Sequence, residues 1–178
     1  VYKRQLPTFN CAASNMVSDS ARKAADTRTR IANYYVTASE LQLQMYNGAD
    51  WFNTYGFMPS IVEMDYANNQ PRIRILNPFG CYPEIDRFGQ CISITQVLQM
   101  DAETLCSQYP EFADQIMPKN QYSSGSPYLE VVRYHDAEQD VLMIPSRMNL
   151  ILSRTPNVLG KCLARVATRY SLDGEARG

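Results

Sequence analysis

The side chains best suited to nucleophilic chemistry in this sequence are one histidine, His135, and five cysteines, Cys11, Cys81, Cys91, Cys106 and Cys162. A thiol hydrolase needs a base beside its nucleophile, so Cys81 or Cys91 with His135 is one hypothesis. No GxSxG or comparable nucleophile turn is present. We therefore favour another interpretation, in which His135 is a polar residue at a strand end and each cysteine is a small buried apolar residue.

Two pairs of acidic residues, Glu63/Asp65 and Glu84/Asp86, have the spacing that puts both carboxylates on one face of a strand, where they could hold a metal ion. We expect arginines to neutralise the first pair and backbone amides to bond the second. One histidine without clustered cysteines disfavours structural zinc, and no GxxxxGKS/T or GxGxxG loop occurs. The sequence therefore predicts no catalytic, metal-binding or cofactor-binding residues, and no cofactor.

The composition indicates a folded globular chain. Of its 178 residues, 45% are apolar and 20% are charged, and the formal net charge is −1. This charge argues against general attraction to nucleic acid or to an acidic membrane surface. No apolar run has the length of a membrane span. An odd number of widely spaced cysteines without CxxC argues against a secreted disulfide framework and favours a reducing compartment.

Residues 19–55 are predicted to be helical, because helix-forming residues dominate and apolar side chains recur at three- and four-residue steps. Capping residues predict two helices, roughly 19–36 and 39–55, and Gly56 would end the second. The first helix carries basic residues that could contact a phosphate backbone or an acidic subunit, although such a run is usually a solvated face. These residues are Arg22, Lys23, Arg28 and Arg30.

The runs SIVEMDY and PRIRIL alternate apolar and polar residues, which predicts two antiparallel strands joined by residues 67–70. In the predicted register, Asp65 faces Arg72 and Glu63 faces Arg74. One face of the hairpin would then be charged and solvated, and the other would be apolar. The expected apolar pairs are Met64 with Ile73 and Val62 with Ile75.

The next stretch, ILNPFGCYPEIDRFGQ over residues 75–90, contains two prolines and two glycines. Proline excludes helix at the preceding residue, and glycine permits tight turns. We interpret this stretch as an ordered connector, pinned by aromatic rings that pack against neighbouring structure. The rings belong to Phe79, Tyr82 and Phe88. A strand over 91–98 follows, with one face formed by Ile92, Ile94 and Leu98.

The remaining sequence predicts two short helices within 101–117, the first capped by Asp101 and the second begun by Pro110. A second hairpin turning at 136–140 follows a polar loop, KNQYSSGSP. Two final strands are expected at 149–154 and 161–168. The predicted fold class is α+β, with N-terminal helices followed by a mostly antiparallel, β-rich region over 58–168 that contains the small helical insert.

Neither end of the sequence resembles the end of a native chain. VYKRQ, residues 1–5, lacks Met, and codons that encode it match a transposon end used in sequencing libraries, so we interpret it as an assembly scar. SLDGEARG at the other end stops without a terminal element. We expect residues 6–178 to be a single partial domain of a longer protein.

Four segments, in order, resemble the portal proteins of tailed bacteriophages, especially of long-tailed phages that infect actinobacteria. They are ADWFNTYGFMPSIVEMDY, PRIRILNPFGCYPEIDRFGQ, YLEVVRYHDAEQDVLMIP and SLDGEARG. The resemblance covers roughly 21–178. In that family a helix ending in YGF leads into a strand, and an NPFG-x-YP-x-x-D-x-x-G connector joins two sheet segments. KCLARVATRYS departs from the family's more proline- and valine-rich strand, and the KNQYSSGS loop has no counterpart.

This resemblance implies a structural protein of the virion, not an enzyme, that assembles in the bacterial host cytoplasm. Portal subunits form a ring, usually of twelve, at one capsid vertex, where double-stranded DNA is packaged and ejected. Terminase, capsid and tail-connector proteins bind the ring. The chain would belong to the outer wing region, with the stem, clip and crown beyond Gly178. The resemblance assigns no DNA-contact or subunit-contact residues and implies no membrane.

Two alternatives to a ring subunit remain open at this point. One is a small phage-associated adaptor or binding module, and the other is the thiol hydrolase. A segment of a ring would expose apolar surface where neighbours dock, whereas a complete module would not. A thiolate nucleophile would react quickly with a thiol probe at neutral pH, whereas a buried thiol would not.

Overall fold

A computed structural model describes residues 9–13, 18–65, 68–117 and 128–169. Its helices are α1 (Asp19–Ala38), α2 (Leu41–Tyr55), α3 (Ala102–Gln108) and α4 (Ala113–Ile116), with a 3₁₀ turn at Pro110–Phe112. Its strands are β1 (Phe57–Asp65), β2 (Gln70–Ile75), β3 (Cys81–Ile85), β4 (Cys91–Asp101), β5 (Tyr128–His135), β6 (Gln139–Ile144), β7 (Leu150–Pro156) and β8 (Ala164–Thr168). The fold class is α+β, as predicted.

The strands form two antiparallel sheets. The smaller sheet has the order β2-β1-β8, and the larger has the order β3-β4-β5-β6-β7. Strand β8 pairs with β1, so the last described strand completes the sheet that the first strand begins. The connector between β2 and β4 therefore carries the chain from one sheet to the other. The antiparallel arrangement was predicted, but its division into two sheets was not.

The two N-terminal helices have nearly the predicted bounds and differ in how they end. The break between them is at Glu40, which has a positive φ of 50°. Gly56 ends α2 in the left-handed conformation, with a φ of 77°, as predicted. Gly48 is buried inside α2, so close to the smaller sheet that an added Cβ would lie 2.6 Å from the Met58 sulfur. This glycine permits close packing of helix on sheet.

Polar side chains at the junction of α1 and α2 cover the outer edge of strand β2. Gln44 Nε2 donates to the carbonyl oxygen of Ile73 at 3.1 Å, and Gln44 Oε1 accepts from the Ile75 N–H at 2.8 Å. Ser39 Oγ accepts from the Ile73 N–H at 2.9 Å. These bonds resemble those of a neighbouring strand, so this edge is satisfied without one.

The β1–β2 hairpin has one charged and one apolar face as predicted, but its register differs by two residues. The prediction that the apolar face is buried is wrong for β1, where Val62 and Met64 are 39% and 41% exposed. Glu63 lies opposite Arg72, and Asp65 lies opposite Gln70, which we had assigned to the loop. A shift of two residues keeps each side chain on its face. The predicted ion pairs therefore form diagonally, from Arg72 to Asp65 at 2.8 Å and from Arg74 to Glu63 at 2.6 Å. The apolar face shifts likewise, to Met64↔Pro71, Val62↔Ile73 and Ser60↔Ile75.

The connector is ordered by its backbone, and the prediction that its aromatic rings pin it is wrong within the described residues. Phe79, Tyr82 and Phe88 are 79%, 65% and 72% exposed. Asp86 Oδ1 instead accepts the N–H groups of Phe88 at 2.8 Å and Gln90 at 2.7 Å. The stretch also contains β3, an edge strand that the sequence did not predict.

Strand β4 begins with a β-bulge that corrects the predicted face. Glu84 pairs with Ser93 and Ile85 pairs with Cys91, so Ile92 is an extra residue opposite β3. Ile92 is 47% exposed, whereas Ile94 is 2% exposed. The prediction that Ile92 and Ile94 share one face is therefore wrong, because the bulge gives Ile92 an exposed position.

The later elements follow the prediction closely. Asp101 caps α3 by accepting the Thr104 N–H at 2.9 Å. Asp136 closes the second hairpin by accepting the N–H groups of Glu138 and Gln139, both at 2.7 Å. The loop KNQYSSGSP, the proposed scar at residues 1–5 and the terminal SLDGEARG lie outside the described residues.

Two buried clusters hold the sheets and the small helices together. One lies between the two sheets and contains Ile61, Leu76, Cys81, Cys91, Ile94, Cys162 and Ala164. The other packs α3 and α4 onto the larger sheet through Ala102, Leu105, Ile116, Leu129, Val131, Ile144 and Leu152. Among the described residues, no helix combines the length and the apolar character needed to cross a bilayer.

We predict that Gln44→Ala lowers the free energy of unfolding by about 1–3 kcal/mol, because it leaves backbone groups of β2 without partners. Gln42, exposed on the same helix, provides the matched control, and Gln42→Ala should change stability by less than about 0.5 kcal/mol. Urea denaturation followed by circular dichroism measures both. Equal effects of the two variants would contradict the role of Gln44.

We predict that Gly80→Ala lowers the free energy of unfolding by about 2–4 kcal/mol. Gly80 has a φ of +86°, and the new Cβ would lie 2.7 Å from the Val97 carbonyl oxygen. Gly89 has a φ of +77° but no atom within 4 Å of such a Cβ. Gly89→Ala should therefore cost only about 1 kcal/mol. Thermal unfolding measures the stability of both variants. Similar losses of stability would show that only backbone conformation matters and would contradict the predicted clash with Val97.

Candidate functional site

A cleft of about 460 Å³ lies between the two sheets and is the candidate functional site. Residues 61–64 of β1 line one side, and side chains of β5, β6 and β7 line the other. The exposed side chains of Val158 and Leu159 are at its rim. Charged residues from both sheets meet in this cleft, and they give it its chemical character.

Arg133 of β5 connects the two sheets through acidic partners. Its Nη1 donates to Glu63 Oε2 of β1 at 2.8 Å. Its Nε and Nη2 donate to Asp140 Oδ1 and Oδ2 of β6, at 3.0 and 2.6 Å, which is a bidentate pair. Arg74 also binds Glu63. The charged face of the first hairpin, predicted to be solvated, thus lies partly inside the molecule, with the Glu63 side chain only 20% exposed.

The pKa values of this cluster follow from opposed effects. Burial raises the pKa of Glu63, but hydrogen bonds from Arg133 and Arg74 outweigh it and lower the pKa below its ordinary value. Burial likewise opposes a lower pKa at Asp140, yet the neighbouring His135 ring and the hydrogen bonds from Arg133 hold that pKa far below its usual range. The hydrogen bond to Asp140 raises the pKa of Arg133. All three groups are therefore charged at neutral pH.

His135 is the last residue of β5, at a strand end as predicted, and is 5% exposed. Its Nε2 accepts the Leu163 N–H at 3.1 Å, which links the larger sheet to the segment before β8. Its Nδ1 lies 3.4 Å from Asp140 Oδ2, across the strand pair. Both nitrogens of the ring therefore face protein groups other than a thiol.

The cysteines of the hydrolase hypothesis lie in the buried cluster between the sheets. Burial raises the pKa of Cys81 to about 11. The interaction with Cys162, together with burial, raises the pKa of Cys91, whose thiol donates to the Ser93 carbonyl oxygen at 3.2 Å. Both are therefore thiols rather than thiolates at neutral pH. Cys162, which the hydrolase hypothesis did not name, has its sulfur 4.0 Å from the backbone carbonyl oxygen of His135.

The first acidic pair has the arginine partners that the sequence predicts, and in the second pair Asp86 but not Glu84 has the predicted backbone partners. Arg74 and Arg72 neutralise the first pair, and Asp86 bonds backbone amides. Glu84 accepts from the Ser93 hydroxyl at 3.0 Å. Within the residues that the structure describes, no group of three or more His, Cys, Asp or Glu side chains could hold a metal ion. On α1, the basic residues are exposed, and Arg22 lies 4.0 Å from Asp19; they are Arg22, Lys23, Arg28 and Arg30.

Arg133 is the residue that sequence reasoning missed. Its partner Glu63 is 70 positions away, so no local pattern joins them. A signal exists in β5 itself, since Leu129, Val131, Arg133 and His135 occupy alternate positions of one strand. A charged residue in phase with buried ones requires an acid from another element.

Comparison of the chain with protein-family models gives no match, and comparison with curated proteins gives none either.

We predict that Arg133→Met lowers the free energy of unfolding at pH 7 by about 3–5 kcal/mol, because Glu63 and Asp140 lose their shared cation. Arg154, which bonds Gln139 at the surface, is the matched control, and Arg154→Met should cost less than about 1 kcal/mol. Guanidinium denaturation measures both. A loss no greater at Arg133 than at Arg154 would contradict the proposed linkage of the sheets.

The cost of Arg133→Met should also depend on pH. Carboxyl groups with lowered pKa values stabilise the fold above their ordinary pKa of about 4, and this stabilisation is lost as the pH falls. The wild type should therefore lose stability below about pH 5 more steeply than the variant, and the two curves should converge. If the difference in unfolding free energy between the wild type and Arg133→Met stays constant from pH 7 to pH 3, the carboxylates do not cause the loss of stability.

Proposed function

We propose that this chain is a wing-like segment of a tailed-phage portal protein, a subunit of the ring through which DNA enters and leaves the capsid. The main structural observation behind the proposal is that several large apolar side chains are exposed to solvent. Met148 is fully exposed, Val158 is 92% exposed, and Phe79 and Phe88 are 79% and 72% exposed. Side chains of this kind favour contact with other molecules.

The order of elements supports the proposal. The resemblance to portal proteins leads one to expect a helix that ends in YGF and continues into a strand. Here α2 ends at Tyr55, Gly56 makes the turn and β1 begins at Phe57. The resemblance also leads one to expect a connector between two sheet segments, and residues 76–90 carry the chain from the smaller sheet into the larger one.

The connector offers a physical reason for a role in assembly. Its backbone is held by Asp86, by Gly80 and by pairing of β3 with β4, so little flexibility would be lost when it docks. Phe79, Tyr82 and Phe88 project from this ordered backbone into solvent. Exposed aromatic rings on a rigid support are typical of interface anchors.

An adaptor or binding module is the second candidate, and the cleft of about 460 Å³ favours it. A cleft of this volume falls within the range of small-molecule sites. Its charged groups, however, already bind one another through Arg133. We therefore rank it below the ring subunit.

The test is the complete reading frame and its neighbouring genes. We predict terminase and capsid genes nearby, and a coding region that continues into two long helices flanking a short β-rich insert. The full-length protein should form rings, of about twelve subunits, in negative-stain electron microscopy. Flanking genes of unrelated function, or a full-length protein that stays monomeric at high concentration, would contradict the proposal.

Serine substitutions at two exposed aromatic residues of the connector, Phe79 and Phe88, provide a second test. In the full-length protein, Phe79→Ser with Phe88→Ser should reduce ring yield, while the melting temperature of the unassembled subunit stays within about 2 °C of the wild type, because both rings are already exposed. If the subunits still assemble normally, the side chains of Phe79 and Phe88 are excluded as subunit contacts.

A further inference from the structure

The ring of His135, the only histidine in the sequence, is buried and holds one particular tautomer. Its Nε2 accepts the Leu163 N–H at 3.1 Å, so this nitrogen carries no proton. In the neutral ring the proton is therefore on Nδ1, which lies 3.4 Å from Asp140 Oδ2. A second proton could bind only at Nε2, where it would turn the acceptor into a donor that faces the Leu163 N–H.

Leu163 lies at the end of a short segment, residues 158–163, that forms part of the rim of the cleft. Its carbonyl oxygen accepts the Val62 N–H of β1 at 3.2 Å, and its N–H bonds the ring on β5. Leu163 thus joins the two sheets. Before the segment, Asn157 Nδ2 donates to the carbonyl oxygen of Asp136 at 2.7 Å, and after it β8 pairs with β1. The segment is therefore anchored at both ends without the ring.

We propose that His135 is a pH switch: protonation of its Nε2 releases the Leu163 N–H, and residues 158–163 then loosen at the rim of the cleft. In the open arrangement no N–H donor faces Nε2, so the open arrangement binds the second proton more readily. A falling pH therefore shifts the population toward it. The anchors at both ends confine the change to the segment. The inference does not depend on the proposed function.

The charged groups around the ring are compatible with this change. Despite burial, the pKa of Asp140, on β6, is held far below its usual range by the His135 ring and Arg133, so its carboxylate persists in mild acid and would face the imidazolium. Arg133, on β5, opposes the added charge, but Glu63 and Asp140 neutralise it. Backbone N–H groups outweigh burial and lower the pKa of Asp136, which adds a second negative charge beside the ring.

One neighbouring group titrates in the same pH range. The Cys162 sulfur lies 4.0 Å from the carbonyl oxygen of His135. Its interaction with Cys91, against the effect of burial, lowers the pKa of Cys162 to about 6, and the positive charge of Arg165 acts in the same direction. Cys162→Ser removes this thiol and keeps the ring, so it separates the two groups.

The test is NMR spectroscopy of the 178-residue chain, in which isotope-labelled histidine gives signals from one ring. At about pH 7.5 we expect a protonated Nδ1 and an unprotonated Nε2, and at about pH 5 we expect a proton on both. Hydrogen exchange of the Leu163 amide, corrected for the intrinsic effect of pH, should become about tenfold faster over this range, which corresponds to the loss of one hydrogen bond. The Leu159 amide, which bonds Asn157 Oδ1 at 3.1 Å, is the internal control and should change little.

Two variants show which group causes the change. His135→Gln places an amide oxygen near the position of Nε2 and does not titrate, so the Leu163 amide should stay protected at both pH values. Cys162→Ser should keep the response of the wild type.

Four outcomes would overturn the proposal. The first two are an Nε2 that is protonated at neutral pH and a ring that is still neutral at about pH 5. The third is a ring that gains its second proton without faster exchange at Leu163. The last is an equal pH response in His135→Gln. The wild-type spectra decide the first three even if that variant fails to fold.

Discussion

An arginine in the interior of a protein is tolerated only when acidic groups neutralise it, because removing an unpaired cation from water is costly. Arg133 meets this requirement with one acid from each sheet, Glu63 and Asp140. The smaller sheet must therefore lie where β1 can present Glu63 to β5. These ion pairs act together with the buried cluster between the sheets, which contains Ile61 and Ile94, to hold the two sheets in contact.

The smaller sheet depends on its neighbours in the same way. Three strands with one buried face are close to the minimum for independent stability. The helix junction satisfies the free edge of β2 through Gln44 and Ser39. At the other side, the Leu163 N–H bonds the ring of His135, and Cys162 packs against Cys91. The sheet is thus held by side chains at both edges and by an ion pair on its face.

The parts of this structure that the sequence predicted are those set by neighbouring residues. Helix bounds, the Asp101 cap and the acid–arginine pairs of the first hairpin depend on spacings of a few positions. The hairpin register was wrong by two residues because a period of two fixes the faces but not which partners lie opposite. Strand β3 and the Glu63–Arg133 pair were missed because they depend on contacts with distant segments, which no local pattern encodes.

The charged cleft and the exposed aromatic side chains of the connector differ in how easily they could bind a partner. The difference bears on the choice between a binding module and a ring subunit. In the cleft, Glu63, Arg133 and Asp140 direct their charged atoms at one another, so a ligand would have to break these bonds before it could form its own. On the connector, Phe79 and Phe88 lie in solvent on a backbone that is already ordered, so a partner would gain apolar contact at little entropic cost. Binding is therefore easier at Phe79 and Phe88 than in the charged cleft, and this difference supports the proposal of a subunit that acts through contacts with its neighbours.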